Sequence, residues 1–170
     1  MELAGTFKSC PRCGSTNLTF PEKVIVCRDC DFVYYHNTAA AVAAIIEHEG
    51  GIVLVRRGKE PKKGMLDLPG GFVDYGETAE KALAREVYEE LNLRIEDMRY
   101  LTTAANIYDY KGIPYRVLDI FFTCRAPNIA EIKVRDDVSA YEFLKPDKVP
   151  TEQLAFESTK TGLAYYIKNR

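Results

Sequence analysis

Apolar and polar positions change period several times along this 170-residue chain. Ala39 to His48 is a long apolar run and Ile52 to Arg56 a shorter one, with Glu49-Gly50-Gly51 between them. Short apolar runs bounded by turn residues predict buried strands, here a hairpin. Over 78–91 the period becomes helical, with Ala79, Leu83, Val87 and Leu91 on one stripe. Thr78 stands where a hydroxyl caps the first free N–H groups, and Asn92 where a left-handed residue closes the last turn. Farther on, Arg99 to Tyr110 and Tyr115 to Arg125 predict an antiparallel pair around Lys111-Gly112-Ile113-Pro114. Ser139 to Leu144 predicts another strand. Leu154 to Asn169 predicts an amphipathic helix with Leu163, Tyr166 and Ile167 toward the sheet.

Residues 1–36 stand apart. Cys10-Pro-Arg-Cys13 and Cys27-Arg-Asp-Cys30 are two CxxC pairs, a spacing close to that of four-cysteine zinc sites. Gly14 follows the first pair and Asp31 the second, where a knuckle turn calls for positive φ. Val24-Ile25-Val26 and Phe32 to Tyr35 read as short flanking strands. The segment reads as a small zinc ribbon, since so short a stretch needs a staple to fold. A disulfide pair is the alternative. The fifth cysteine, Cys124, lies in an apolar run and reads as a core residue.

Charge narrows the partners. The net charge is −2, so no general polyanion-binding surface is expected. In the ribbon, Lys8, Arg12, Lys23 and Arg28 are balanced by Glu2, Glu22, Asp29 and Asp31, which makes nucleic acid an unlikely partner. A structural role for the ribbon, with support of a homodimer, is the expectation. No run of about 18 apolar residues is present, so no membrane-spanning helix is expected. The opening MELAGTFKSC lacks the basic-then-apolar pattern of a signal peptide, and a cytoplasmic location is expected.

The candidate chemistry sits on the capped helix. At about 100° per residue, Glu86, Glu89 and Glu90 fall within one sector. Glu90 projects into the apolar stripe and should be half buried, with Glu86 beside it. Carboxylates placed so repel one another and lose solvation, and a divalent cation relieves both. Oxygen ligands suit Mg²⁺ or Mn²⁺. A solvated acidic face is the alternative. The stretch Gly71 to Leu93 resembles the signature of the Nudix hydrolases, G-x5-E-x7-R-E-U-x-E-E-x-G-U with U a bulky aliphatic residue. Gly71, Glu77, Arg85, Glu86, Val87, Glu89, Glu90 and Leu93 match, and Asn92 replaces the family's glycine.

That resemblance implies an α/β fold: a Nudix α/β/α sandwich around a mixed sheet over residues 37–170, preceded by the four-cysteine zinc ribbon over 1–36. It implies that Glu86, Glu89 and Glu90 hold Mg²⁺ or Mn²⁺, with a backbone carbonyl near Gly71 in the metal shell. It also implies that Arg85 pairs with Glu77 to brace the loop. The implied activity is hydrolysis of a nucleoside diphosphate linked to another group. Asp137 is the expected general base, with Asp136, Glu142, Glu89 and Glu90 as rivals. The cluster Arg56, Arg57, Lys59, Lys62 and Lys63 reads either as a solvated loop or as a phosphate-steering rim. Arg57 is the substrate-binding candidate from it. Tyr108 and Tyr110 are the candidates for stacking a base, ordinary strand tyrosines being the alternative.

Substrate markers divide. A ribbon ahead of this signature resembles NADH pyrophosphatases, yet their downstream array S-Q-P-W-P-F-P-x-S is absent and the chain has no Trp. ADP-ribose or another nucleoside-diphosphate sugar is the first expectation, ahead of NADH and dinucleoside polyphosphates. A nucleotide-sensing regulator without turnover and an RNA 5′-end hydrolase are the readings from other classes.

Overall fold

The computed structural model describes residues 6–170. The first five residues of the expected ribbon, Glu2 among them, lie outside the described residues. Leu18–Thr19, Val24–Cys27 and Val33–Tyr35 (β1 to β3) form a small antiparallel sheet in sequential order. Its core is slight: Ile25, Cys10 and Cys27 are its buried apolar side chains. Gly14 and Asp31 both adopt positive φ, at 79° and 55°, as the two knuckle turns require.

The larger sheet is built from Ala39–His48 (β4), Gly51–Arg57 (β5), Glu96–Tyr110 (β8), Ile113–Arg125 (β9) and Val138–Leu144 (β10). Their order is β10-β5-β4-β9-β8. β4 and β9 run parallel, with Ala39 opposite Val117 and Ile46 opposite Cys124, and the other neighbours run antiparallel. The sheet is therefore mixed. Lys111 and Gly112, both at positive φ, make the two-residue turn between β8 and β9.

Alternation along the central strands supplies two cores. Val42, Ala44, Ile46, Val53, Val55 and Phe122 face the helix Ala79–Leu91 (α1), meeting Leu83, Val87 and Leu91. Ile45, Ile52, Leu54 and Phe121 face the other way, toward Leu163 and Tyr166 of the helix Glu157–Asn169 (α2). Helix, sheet and helix stack as three layers, the α/β/α sandwich expected. Cys124 lies in the first core.

Both caps of α1 hold. Thr78 accepts a hydrogen bond from the Lys81 N–H, and Asn92 takes φ 59°, ψ 23°. Asn is one of few residues that enter this region without a large penalty, which explains how it replaces glycine.

Two expectations change. Leu154 is not helical: it bridges to Leu66 and is buried in the second core, and α2 begins only at Glu157. The glycine turn is also more than a turn. Leu66–Asp67 (β6) pairs with β5, and Gly70–Phe72 (β7) pairs with β4 at Ala41, Val42 and Ala43. That pairing brings the backbones so close that a Cβ on Gly70 would lie 2.0 Å from the Val42 carbonyl oxygen.

Gly162 tests the second core. Replacing a helical glycine with alanine ordinarily stabilises by about 1 kcal/mol. Here the new Cβ would meet the buried Phe121 ring at 2.6 Å, and overpacking costs about 1–3 kcal/mol. Gly162→Ala should therefore lower the thermal unfolding midpoint; a rise would show that the Phe121 ring can yield.

Candidate active site

The site is assembled where α1 passes under β7. Gly71 lies against Glu86 so closely that a Cβ there would meet the carboxylate at 2.6–2.8 Å. Gly70 donates its N–H to Glu90 Oε2 at 3.0 Å. Glu90 is 8% exposed, deeper than the half-buried position expected, because β7 covers it from above. Burial drives its pKa well above the ordinary carboxylate value, and nearby Glu86 and Asp67 add to the rise while the Gly70 N–H opposes it. Burial raises Glu86 too, with Arg85 opposing. Both carboxylates line one cleft of about 230 Å³ with Gly70, Gly71, Arg85 and Asp137.

Arg85 is the counter-charge. Its guanidinium binds Glu77 through Nε and Nη2 at 2.9 Å each, and through Nη1 it binds Glu86 at 2.8 Å and Glu89 at 3.0 Å. A further bond reaches the Phe72 carbonyl at 3.1 Å. The expected Arg85–Glu77 brace is thus in place, and Arg85 stays protonated far beyond neutral pH, chiefly through Glu77. Glu89 lies on the outer side of Arg85, off the cleft lining. Among the described residues only the four cysteines bring a full set of potential ligand atoms within 4.8 Å of one another.

The basic cluster does not act as one rim. Arg56 belongs to the β5–β10 seam, where it meets Glu142 at 2.6 Å, and this removes Glu142 from the cleft. Arg57 turns inward. It binds Asp67 at 3.2 Å and the Pro61 carbonyl at 2.7 Å, approaches the Tyr108 hydroxyl at 3.4 Å, and lies 5.1 Å from the Phe156 ring centre. Lys59 pairs with Asp136 and Asp137. Hydrogen bonding from Lys59 holds the Asp137 pKa below its usual value. Lys62 and Lys63 stay off the cleft.

Tyr108 is brought to the cleft, packed edge-on to Phe72 at 5.4 Å and tilted against Phe156 at 5.8 Å. Tyr110 stacks on Tyr108 at 6.5 Å but is exposed at the strand end, outside the lining. Several lining residues carried no expectation from sequence: Asp67, Phe72, Asn106, Asp119 and Phe156. For Asp119 a signal was available, a lone carboxylate inside Val117 to Phe122. The others are joined only by folding. A larger cavity of about 680 Å³ lies elsewhere, between the ribbon and the β8–β9 turn, with Tyr34, His36, Tyr115 and Arg116 in its walls.

In the ribbon, Cys10 Sγ lies 3.7 Å from Cys30 Sγ, and Cys13 Sγ 3.7 Å from Cys27 Sγ. No cysteine is bridged, and this spacing far exceeds a disulfide bond of about 2.05 Å. A tetrahedron with metal–sulfur bonds of about 2.3 Å has edges of about 3.8 Å. The four thiols fit a tetrahedral metal ion.

The NUDIX domain profile matches residues 36–163. The chain belongs to the Nudix family and is a Nudix-type pyrophosphohydrolase. It is 34% identical over 144 residues to the ADP-ribose pyrophosphatase of Methanocaldococcus jannaschii, covering 83% of this chain and 81% of that one. It is also 34% identical over 107 residues to the NAD-capped RNA hydrolase NudC of Edwardsiella ictaluri, covering 61% of this chain but only 41% of the relative. Among solved structures, a Nudix hydrolase of Nitrosomonas europaea superposes with a TM-score of 0.77 at 25% identity, over 96% of this chain and 92% of the other. No helix of the described residues is long and apolar enough to cross a membrane.

The raised pKa of Glu90 has a definite sign in stability. The folded state holds that proton more tightly than the unfolded chain. Without a divalent cation, stability therefore falls as pH rises from the ordinary glutamate value through the raised one. Glu90→Gln should accordingly raise the unfolding midpoint at neutral pH in chelator and shrink the gain produced by Mg²⁺. A lower midpoint in chelator would show that the ionised carboxylate is well compensated by its surroundings.

Proposed function

We propose that this chain hydrolyses a phosphoanhydride bond in a nucleoside diphosphate linked to a second group, with ADP-ribose or a similar nucleoside-diphosphate sugar as substrate. The observation that carries this reading is the pair Glu86 and Glu90. Two desolvated carboxylates face one cleft under a glycine turn, with one guanidinium and one backbone N–H as their recorded partners. Similarity to an ADP-ribose pyrophosphatase over most of both chains supports the sugar end of the substrate class.

In this reading Glu86, Glu89 and Glu90, with the Gly71 carbonyl, would hold Mg²⁺ or Mn²⁺, which take oxygen donors of this kind. When bound, such a cation offsets the pyrophosphate charge and makes a water more acidic. Arg85 and Glu77 keep the loop against α1, so the donors stay oriented. Arg57 and Tyr108 contact the nucleotide, and Tyr110 extends the aromatic surface at the rim. Asp137, which lines the same cleft, takes the proton of the attacking water. Lys59 keeps it ionised, which makes it available but weakly basic, so Glu89 is its rival. The ribbon, 1–36, would hold Zn²⁺ through Cys10, Cys13, Cys27 and Cys30 and stabilise the catalytic unit, 37–170. A dinucleotide such as NADH is the second reading, favoured by the similarity to NudC relatives.

A hydrolysis panel in Mg²⁺ tests the substrate. With ADP-ribose, NADH, UDP-glucose and diadenosine tetraphosphate, ADP-ribose should show the highest kcat/KM and yield AMP. NADH in first place would establish the second reading. Glu89→Gln should reduce kcat at least about a hundredfold with the fold intact. Turnover near that of the wild type would remove Glu89 from the mechanism. Cys10→Ser should lose zinc and lower the unfolding midpoint before it lowers turnover per folded molecule, since ribbon folding is coupled to the metal.

A further inference from the structure

Asp67 carried no expectation from sequence, yet it stands behind Arg57 in the cleft wall. It lies opposite Val55 in the β5–β6 ladder and reaches Arg57 two residues on. Both side chains are largely shut from water, Asp67 at 13% and Arg57 at 19% exposed. The two carboxylate oxygens meet different donors. Oδ1 accepts the Leu68 N–H at 3.0 Å and the Thr159 hydroxyl at 2.8 Å. Among the described residues, Oδ2 accepts from Arg57 Nη1 alone, at 3.2 Å. Oδ1 is therefore fixed by the adjoining backbone and by α2, and Oδ2 is aimed at Arg57.

Arg57 is held on its other sides as well. Its Nε donates to the Pro61 carbonyl at 2.7 Å, its Nη2 approaches the Tyr108 hydroxyl at 3.4 Å, and its central carbon lies 5.1 Å from the Phe156 ring centre. Each nitrogen has one partner, so one N–H on each Nη is left uncommitted among the described residues. Arg57 lines the cleft that holds Glu86 and Glu90. The start of α2 acts on it twice. Phe156 packs against the guanidinium, and Thr159 in the first turn steadies its carboxylate partner. Strand β6 is tied to the same segment, since the Ala155 N–H donates to the Leu66 carbonyl at 2.8 Å.

We propose that Asp67, steadied by Thr159, is a positioning residue that holds the Arg57 guanidinium toward the cleft, so that the start of α2 sets the affinity for an anionic substrate. The inference rests on the nucleotide reading above. Asp67 acts through Arg57, because its own charge repels an anion and only the cation it orients attracts one. A guanidinium recognises an anionic oxygen by the direction of its N–H groups, so one that swings freely loses most of that advantage. Burial raises the Asp67 pKa, with Arg57, Thr159 and the Leu68 N–H opposing, which agrees with a carboxylate that depends on these donors.

Asp67→Asn separates positioning from packing. The amide oxygen can keep the Leu68 and Thr159 bonds, while an N–H replaces the oxygen that faced Arg57. The first readout needs no substrate. The order parameter of the Arg57 Nε–H, from nitrogen NMR relaxation of the full chain, should be high in the wild type and should fall in Asp67→Asn. The second uses ADP-ribose with Mg²⁺. Asp67→Asn should raise KM about tenfold or more and change kcat less. Thr159→Val should move KM the same way to a smaller degree, and Thr159→Ser should restore it. In an Arg57→Ala background, Asp67→Asn should raise KM no further. An Arg57 signal as rigid in Asp67→Asn as in the wild type overturns the inference. So does an unchanged KM in that variant, or KM increases that multiply in the double variant. A lower unfolding midpoint with neither change marks Asp67 as structural and overturns it too. Failure of the wild type to hydrolyse ADP-ribose would count against the proposed reaction, and the Arg57 signal alone would then decide the role of Asp67.

Discussion

A carboxylate on the buried side of the central helix is the constraint around which this structure closes. Glu90 occupies a position on α1 where packing alone would favour an apolar side chain, and β7 shuts it from water. Among the described residues, the one hydrogen bond it accepts is from the Gly70 N–H. A buried hydrogen-bonding group left without its partner costs about 1–3 kcal/mol, so the turn, the helix and the strand beneath them have little freedom to separate. Gly70 is held against the Val42 carbonyl and Gly71 against Glu86, each at distances that leave no room for a Cβ. Three elements distant in sequence are locked by one ionisable group.

Arg85 makes that arrangement tolerable. A single planar guanidinium serves Glu77, Glu86 and Glu89 and still reaches the Phe72 carbonyl. Lysine could not replace it, since its point charge lacks the fork that satisfies several acceptors in fixed directions. The result is a cleft with two unlike ends. Its outer end is acidic and short of positive charge. Its inner end is aromatic, with Arg57 held by Asp67 beside Tyr108 and Phe156. A polyanion with a flat ring at one end suits such a cleft once cations meet the outer carboxylates.

Much of this was legible before folding was considered. The period of Ala79, Leu83, Val87 and Leu91 specified α1, and Thr78 and Asn92 specified its ends, because caps depend on neighbours within one turn. The two CxxC pairs specified a four-thiol cluster for a similar reason: each pair lies on one short knuckle. The parallel seam between β4 and β9 was not legible, since nothing in either strand's alternation names its partner. Nor was the stop at Glu157, where Leu154 is drawn from the helix into the core by its contact with Leu66.

The candidate site divides along the same line. The sequence by itself determined the capped helix, its glutamates, the arginine among them and the cysteine cluster, because spacing along a helix or a knuckle fixes where side chains point. Only the tertiary structure decided that Arg56 is spent on Glu142 while Arg57 enters the cleft, and that Tyr108 lines it while Tyr110 stays outside. It also decided that Asn106 donates to Asp119 and that Ser158 lies beside them. These groups come from β8, β9 and α2, and their meeting depends on strand order, register and the packing of a helix across the sheet. Those are set by the burial of whole faces, which no local stretch of sequence encodes.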